Sequence, residues 1–175
     1  MFEAFARLQH SDAHNPLGSL RRVICIGGAG TDSWFEDTFP DEARTTNFVL
    51  SATAIVRYYG LSGVDLDYES DAMTHAQSRQ FLGLVRALRK SLPANSTISI
   101  ALMCSREYLM GTRTNGTKGF TPGVLAELGR QADYLNLMTY EFHNIILDWK
   151  QDGSGRTGFL TNIYPQPGAP PGCAL

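Results

Sequence analysis

The sequence predicts an α/β protein in which about four parallel strands alternate with helices. Two features lead to this prediction: short apolar runs recur along the chain, and longer segments with helical periodicity separate them. Strands that are separated by helices form βαβ units, and the strands of such units are parallel. The chain of 175 residues has the length of one domain.

Four segments have the pattern of strands. The first is continuously apolar and ends at a pair of glycines, and the second alternates apolar with acidic residues. The third and fourth are mostly apolar, as expected for strands inside an α/β protein. The four segments are 23–26, 63–69, 98–103 and 134–140.

The predicted helices lie between and beside these strands. The segment 73–91 has Phe81, Leu82, Val85 and Leu88 on one face, which is the pattern of a helix that packs on a sheet. The other predicted helices are 2–9, 41–59 and 122–131, the last with Pro122 in its first turn. From about residue 150 the chain is rich in glycine and proline, and an irregular tail is expected.

The composition excludes several classes of protein. Hydrophobic residues make up 43% of the chain and charged residues 18%, so a core can form and a disordered chain is excluded. The 15 basic residues are scattered among 17 acidic ones, which leaves no basic surface for nucleic acid. No apolar run reaches the roughly 18–20 residues that cross a bilayer, so no membrane contact is expected.

Nothing in the sequence fixes the cellular compartment. The start of the chain has no basic region followed by an apolar stretch, so no signal peptide is visible. Three cysteines are too few and too far apart for a disulfide framework or a zinc site. Cys25 and Cys104 lie in apolar, strand-like segments and are predicted to be buried free thiols.

The second strand carries the strongest chemical signal. Asp65, Asp67 and Glu69 alternate with apolar residues, and this spacing places all three carboxyl groups on one face of a strand. Repulsion among them is expected to raise at least one pKa, which keeps an acid protonated near neutral pH. Glu69 comes last, at the carboxyl end where α/β sheets bind ligands, and is the candidate general acid. Spacing alone leaves two other interpretations open: a divalent-metal site and a solvated strand end.

Residues 62–69 (SGVDLDYE) resemble the signature DGxDxDxE of glycoside hydrolase family 18, the chitinase family, with agreement in kind at seven of eight positions. Ser62 replaces the first acid of that signature. Three further segments follow in the family's order: CIGG at 25–28 resembles SxGG, 98–103 resembles the fifth barrel strand, and MTYE at 138–141 resembles MxYD. Together they imply barrel strands three to six.

The resemblance implies a partial TIM (β/α)8 barrel, because a complete barrel takes about 250 residues. Residues 1–175 would form a single, incomplete catalytic domain, and its open strand edges would favour self-association. The implied activity is a glycosidase of the chitinase type, acting on chitin or chitooligosaccharides by substrate-assisted retaining hydrolysis. No metal or organic cofactor is implied.

The resemblance also assigns candidate site residues. Glu69 would be the general acid and base, and Asp67, Asp65 and Tyr140 would assist it. Substrate-binding candidates are Met138, Glu141, Gly27, Gly28 and Trp149, while Trp34 is expected in a loop above the barrel. Cys25 for serine weakens a hydrogen bond to the inner aspartate, and Glu141 for aspartate crowds the acetamido pocket, so a reduced rate is expected.

Two alternatives stay open. A lectin that binds chitin without cleaving it is one, although such relatives usually lose the terminal acid that Glu69 retains. An endo-β-N-acetylglucosaminidase acting on glycoproteins is the other, because it shares the same acidic signature. The family resemblance also suggests a secreted protein.

Overall fold

The computed structural model of the chain describes residues 3–4, 21–70, 72–104, 106–111, 116 and 118–140. Strands and helices alternate through this part of the chain. In order, the elements are β1 (Val23–Gly27), α1 (Asp32–Thr38), α2 (Glu42–Tyr58), β2 (Gly63–Asp67), α3 (His75–Ser91), β3 (Thr97–Met103), α4 (Arg106–Leu109), α5 (Pro122–Gln131) and β4 (Tyr134–Met138).

The strands form one parallel sheet in the order β1-β2-β3-β4. Each strand therefore lies beside the next one in the chain, with helical segments connecting them, as in consecutive β/α units. The predicted α/β class with about four parallel units is confirmed. The predicted helix at 2–9 lies almost entirely outside the described residues, and the tail from about 150 lies wholly outside them.

The hydrophobic core lies between one face of this sheet and the helices. Alternation along β2 and β3 directs one set of side chains toward the helices and the other set to the opposite face. Fully buried residues of the helix-facing set are Val64, Leu66, Ile98 and Ile100, and they join Val56, Phe81, Val85, Leu88 and Leu128 in one cluster. Within the described ranges, no helix is long and apolar enough to cross a lipid bilayer.

Local sequence signals determine where the longer helices begin. Asp41 caps α2 by accepting a hydrogen bond from the Arg44 amide, and Thr74 forms a capping box with Gln77 at the start of α3. Thr121 caps α5, whose first residue is proline. The α3 residues predicted to face the core, 81, 82, 85 and 88, are all buried.

Two strand ends and two short helices differ from the predictions. β2 ends at Asp67 rather than at residue 69, because its partner β1 ends opposite it and Gly27 and Gly28 turn that chain away. β4 ends at Met138 rather than at residue 140. The short helices α1 and α4 were not predicted, and Trp34 lies in α1 instead of in a loop.

Candidate active site

Asp65 and Asp67 lie on the face of β2 opposite the core. The strand pairing places Cys25 of β1 and Ser99 of β3 on either side of Asp65. Val64 and Leu66, which alternate with the aspartates, are completely buried against the helices. The alternation predicted from the sequence is therefore present, and Glu69 lies two residues beyond the end of β2, with its side chain half-buried.

Asp65 is held by donors from both neighbouring strands. The Ser99 hydroxyl donates a hydrogen bond to Asp65 Oδ1, and the Cys25 thiol also bonds to Asp65. Loss of water around the sulfur, this hydrogen bond and the charges of the three acids raise the pKa of Cys25 to about 12. Cys25 therefore stays protonated and donates to Asp65 at neutral pH.

The prediction that Cys25 is a buried thiol is wrong, because the residue is exposed, although its sulfur is partly shielded from water beside Asp65. It lies on the face of β1 that no helix covers in the described part of the chain. Cys104 is half-buried. Ser99 was missed as a site residue, although it is the one polar residue in the predicted strand 98–103 and lies between two isoleucines, which could have pointed to it.

Asp67 and Glu69 form the outer part of the acidic row. Burial and the neighbouring charge of Asp65 raise the pKa of Asp67, while a hydrogen bond with Glu69 acts in the opposite direction. Asp67 Oδ1 is buried and has no hydrogen-bond partner among the described residues. The arrangement joins two carboxyl groups by a hydrogen bond and leaves one carboxylate oxygen able to accept a further donor.

Gly27 and Gly28 lie directly against Asp67. Gly27 has a φ of +120°, and a side chain there would overlap the Asp67 carbonyl oxygen and approach Phe35 Cε2 at 2.9 Å. The Gly28 amide donates to the same carbonyl oxygen at 2.9 Å. Through these contacts, Gly27 and Gly28 hold the end of β2. This structural role is separate from their predicted contact with substrate.

Ser62, which replaces the first acid of the signature, takes part in hydrogen bonds with both neighbouring strands. Its Oγ accepts from the Arg22 amide at 3.0 Å, and its own amide donates to the Arg22 carbonyl at 2.6 Å. The Thr97 amide donates to the Ser62 carbonyl at 2.7 Å. Ser62 therefore connects the starts of three neighbouring strands.

The remaining candidates lie at or beyond β4. Met138 pairs with Met103 and is half-buried, and Tyr140 lies two residues beyond the strand with 49% of its side chain exposed. Trp34 on α1 is 69% exposed. Glu141 and Trp149 lie outside the described residues. In the described ranges, no three His, Cys, Asp or Glu side chains are arranged to hold a metal ion.

The chain resembles known proteins over most of its length. The family model for glycosyl hydrolases family 18 matches residues 2–172. Endochitinase 1 of Metarhizium robertsii is 28% identical over 153 residues, which are 86% of this chain and 33% of that protein.

Solved structures share the fold. The chitinase domain of the spore coat protein CotE from Clostridium difficile superposes with a TM-score of 0.72 at 22% identity, over 99% of this chain and 46% of that one. A family 18 chitinase from Cycas revoluta in complex with (GlcNAc)3 superposes with a TM-score of 0.60 at 24% identity, over 73% of this chain and 38% of that one.

The chain spans about a third of the length of the curated relative and less than half of either solved chain. Its four parallel β/α units are thus part of a (β/α)8 barrel, as the sequence predicted. The acidic row on β2, the sheet that carries it and a family match over nearly all of the sequence agree, and the chain belongs to glycosyl hydrolases family 18.

Proposed function

We propose that this chain carries the acidic part of a chitinase-like glycosidase site, with Glu69 as the general acid and base. The observation that carries the proposal is the row of Asp65, Asp67 and Glu69, in which a hydrogen bond joins the last two carboxyl groups. A carboxyl group that is hydrogen-bonded to a neighbouring carboxyl group of raised pKa is suited to protonate a leaving group.

The proposed reaction uses the substrate's own acetamido group as nucleophile. The Glu69 proton passes to the glycosidic oxygen as the bond from that oxygen to the anomeric carbon breaks. The acetamido carbonyl oxygen bonds to the same carbon and forms an oxazolinium ion. Water then attacks that carbon and gives a proton to Glu69, while the bond from the carbon to the acetamido oxygen breaks, which restores the acid and the acetamido group.

The neighbouring residues would orient the acetamido group. The buried Oδ1 of Asp67 accepts no hydrogen bond from the described residues, and we assign to it the acetamido N–H. Asp65, held by Ser99 and Cys25, would share a proton with Asp67. Tyr140 would donate to the acetamido oxygen. Met138, Glu141, Gly27, Gly28 and Trp149 remain the proposed substrate contacts.

The proposed substrates are β-1,4-linked polymers of N-acetylglucosamine and their short fragments. The Cycas revoluta enzyme was solved with (GlcNAc)3, which supports a chitooligosaccharide as the substrate. An acetamido group beside the scissile bond is also what the proposed mechanism requires.

The experiment that tests the proposal is release of a fluorogenic leaving group from a chitotriose glycoside. Glu69→Gln should lower kcat at least about a hundredfold, because general acid catalysis contributes roughly 10²–10⁴ in rate. Glu42→Gln, the same substitution at an exposed position in the first turn of α2, is the matched control and should leave the rate unchanged.

Equal turnover by the wild type and Glu69→Gln would reject Glu69 as the acid. Absence of turnover in a folded wild type that binds chitotriose would favour the lectin. Release of the glycan from an N-glycoprotein, without turnover of chitotriose, would favour the endo-β-N-acetylglucosaminidase.

A further inference from the structure

Glu36 on α1 contacts the residues on both sides of Glu69. Its Oε1 accepts a hydrogen bond from the Tyr68 hydroxyl at 3.0 Å and another from the Ser70 hydroxyl at 2.8 Å. Glu36 is separated from these partners by more than 30 residues in the chain. One carboxylate oxygen thereby connects the helix after β1 to the segment after β2.

Both partners of Glu36 are buried, which makes these hydrogen bonds costly to lose. Tyr68 is 3% exposed and Ser70 is 1% exposed. Burial raises the pKa of Tyr68 above its ordinary range, and the bond to Glu36 acts in the same direction, so the phenol stays a donor. Hydrogen bonds to a charged acceptor are stronger than neutral ones, and an unpaired buried hydroxyl loses its hydration without compensation.

The segment that carries Glu69 depends on such contacts because it lies beyond the sheet. The β2 ladder ends at Asp67, so the strand pairing does not fix the next three residues. The Tyr68 ring packs in an aromatic cluster, with centroid distances of 5.2 Å to Phe35 and 5.5 Å to Phe81. Glu36 fixes the polar end of that ring and the Ser70 side chain, and so limits the movement of the residue between them.

We propose that Glu36 is a positioning residue, which acts through Tyr68 and Ser70 to hold the Glu69 carboxyl group in its reactive place. This role rests on the proposed function of Glu69. Glu36 touches no reacting atom, so it affects the chemical step more than substrate binding. A small displacement of an acid from its working position lowers the rate steeply.

The test combines kinetics with a cycle of variants. Glu36→Leu should lower kcat for the chitotriose glycoside by about ten- to a hundredfold, with KM changed by less than about twofold. Glu36→Gln keeps an oxygen acceptor and should recover part of that loss. In the Tyr68→Phe/Ser70→Ala background, Glu36→Leu should cause little further loss, because the contacts through which it acts are already gone. Asp37→Leu, at the exposed neighbouring position on α1, is the control and should match the wild type.

A second measurement needs no activity. Amide hydrogen exchange in the peptide that contains residues 68–70 should be faster in Glu36→Leu than in the wild type, and unchanged in Asp37→Leu. Unchanged exchange overturns the proposal, as does a full kcat in Glu36→Leu or an equal loss in the double-variant background. If the wild type has no turnover, the proposed function fails, and hydrogen exchange alone decides whether Glu36 holds this segment.

Discussion

Asp65 and Asp67 are two residues apart on one strand, yet their surroundings differ. Asp65 receives hydrogen bonds from Ser99 and Cys25, whereas Asp67 has one buried oxygen for which the described residues supply no donor. The pKa of Asp67 is raised by burial and by the charge of Asp65. Ionised Asp67 therefore opposes folding.

The raised pKa of Asp67 predicts the direction in which the stability of the folded state changes with pH. The folded state holds the Asp67 proton more tightly than the unfolded chain, so stability falls as pH rises from the ordinary carboxyl pKa through the folded value. Asp67→Asn removes the charge, and we expect it to raise the melting temperature at pH 7. The gain should shrink as the pH is lowered toward 4. Thermal unfolding followed by circular dichroism measures both.

Asp133 is the matched control, because its pKa is shifted in the opposite direction to that of Asp67. Burial acts to raise its pKa, but hydrogen bonds from the Ile98 amide and Arg89 and the charge of Arg89 outweigh it and lower the pKa. Its stabilising effect is present above the ordinary carboxyl pKa and is lost as pH falls through the lowered value. Asp133→Asn should therefore lower the melting temperature at pH 7 and have a smaller effect at pH 4. Shifts of equal sign for the two variants would contradict this account.

At the scale of elements, Arg89 on α3 joins three segments at the amino ends of the strands. It donates to the Ser96 carbonyl before β3 at 2.8 Å, to the Gln131 carbonyl at the end of α5 and to Asp133 before β4. A planar guanidinium can make all these bonds at once, whereas an ammonium group cannot reproduce their geometry. One side chain thus connects the segments that lead into β3 and β4 at the end of the sheet opposite Glu69.

Replacing Arg89 tests this connection. Arg89→Lys keeps the charge but loses the planar set of N–H donors of the guanidinium group. We expect the free energy of unfolding to fall by about 1–3 kcal/mol. Urea denaturation gives this value. Lys90→Arg, at the exposed adjacent position, should change it by less than about 0.5 kcal/mol, and a similar loss in both variants would argue against a specific role for Arg89.

At the scale of the whole molecule, the described sheet has two edges. β1 pairs with β2 alone and β4 pairs with β3 alone among these strands. Tyr134 and Leu137 of β4 are exposed to 60% and 48%, although a strand inside a barrel is covered on both faces. In a complete barrel, further strands would cover both edges.

The self-association expected from the sequence therefore stays a prediction. We expect the 175-residue chain to sediment as a mixture whose average mass rises with concentration, because open parallel edges bind other strands. Leu137→Lys places a charge on the β4 edge and should shift the mixture toward the monomer. Glu42→Lys, on the exposed side of α2, is the control. A wild type that stays monomeric at all concentrations would reject the prediction.

Much of this architecture follows from local patterns. Alternation with a period of two gave the two faces of β2 and so the acidic row, and helical periodicity gave α3 with its four core positions. The seven residues of α1 contain one buried side chain, Phe35, which is too little for a periodic signal. The short segment after Asp67 was assigned to the strand because its alternation continues through Tyr68 and Glu69.

The sequence by itself determined the parallel α/β arrangement, the family and the common face of Asp65 and Asp67, because periodicity within each segment and the order of short motifs along the chain carry them. Only the tertiary structure decided that Ser99 donates to Asp65, that Cys25 is exposed, and that Glu36 holds Tyr68 and Ser70. The Ser99 and Glu36 contacts join side chains more than 30 residues apart. Such contacts depend on strand register and helix placement, for which no local periodicity carries a signal.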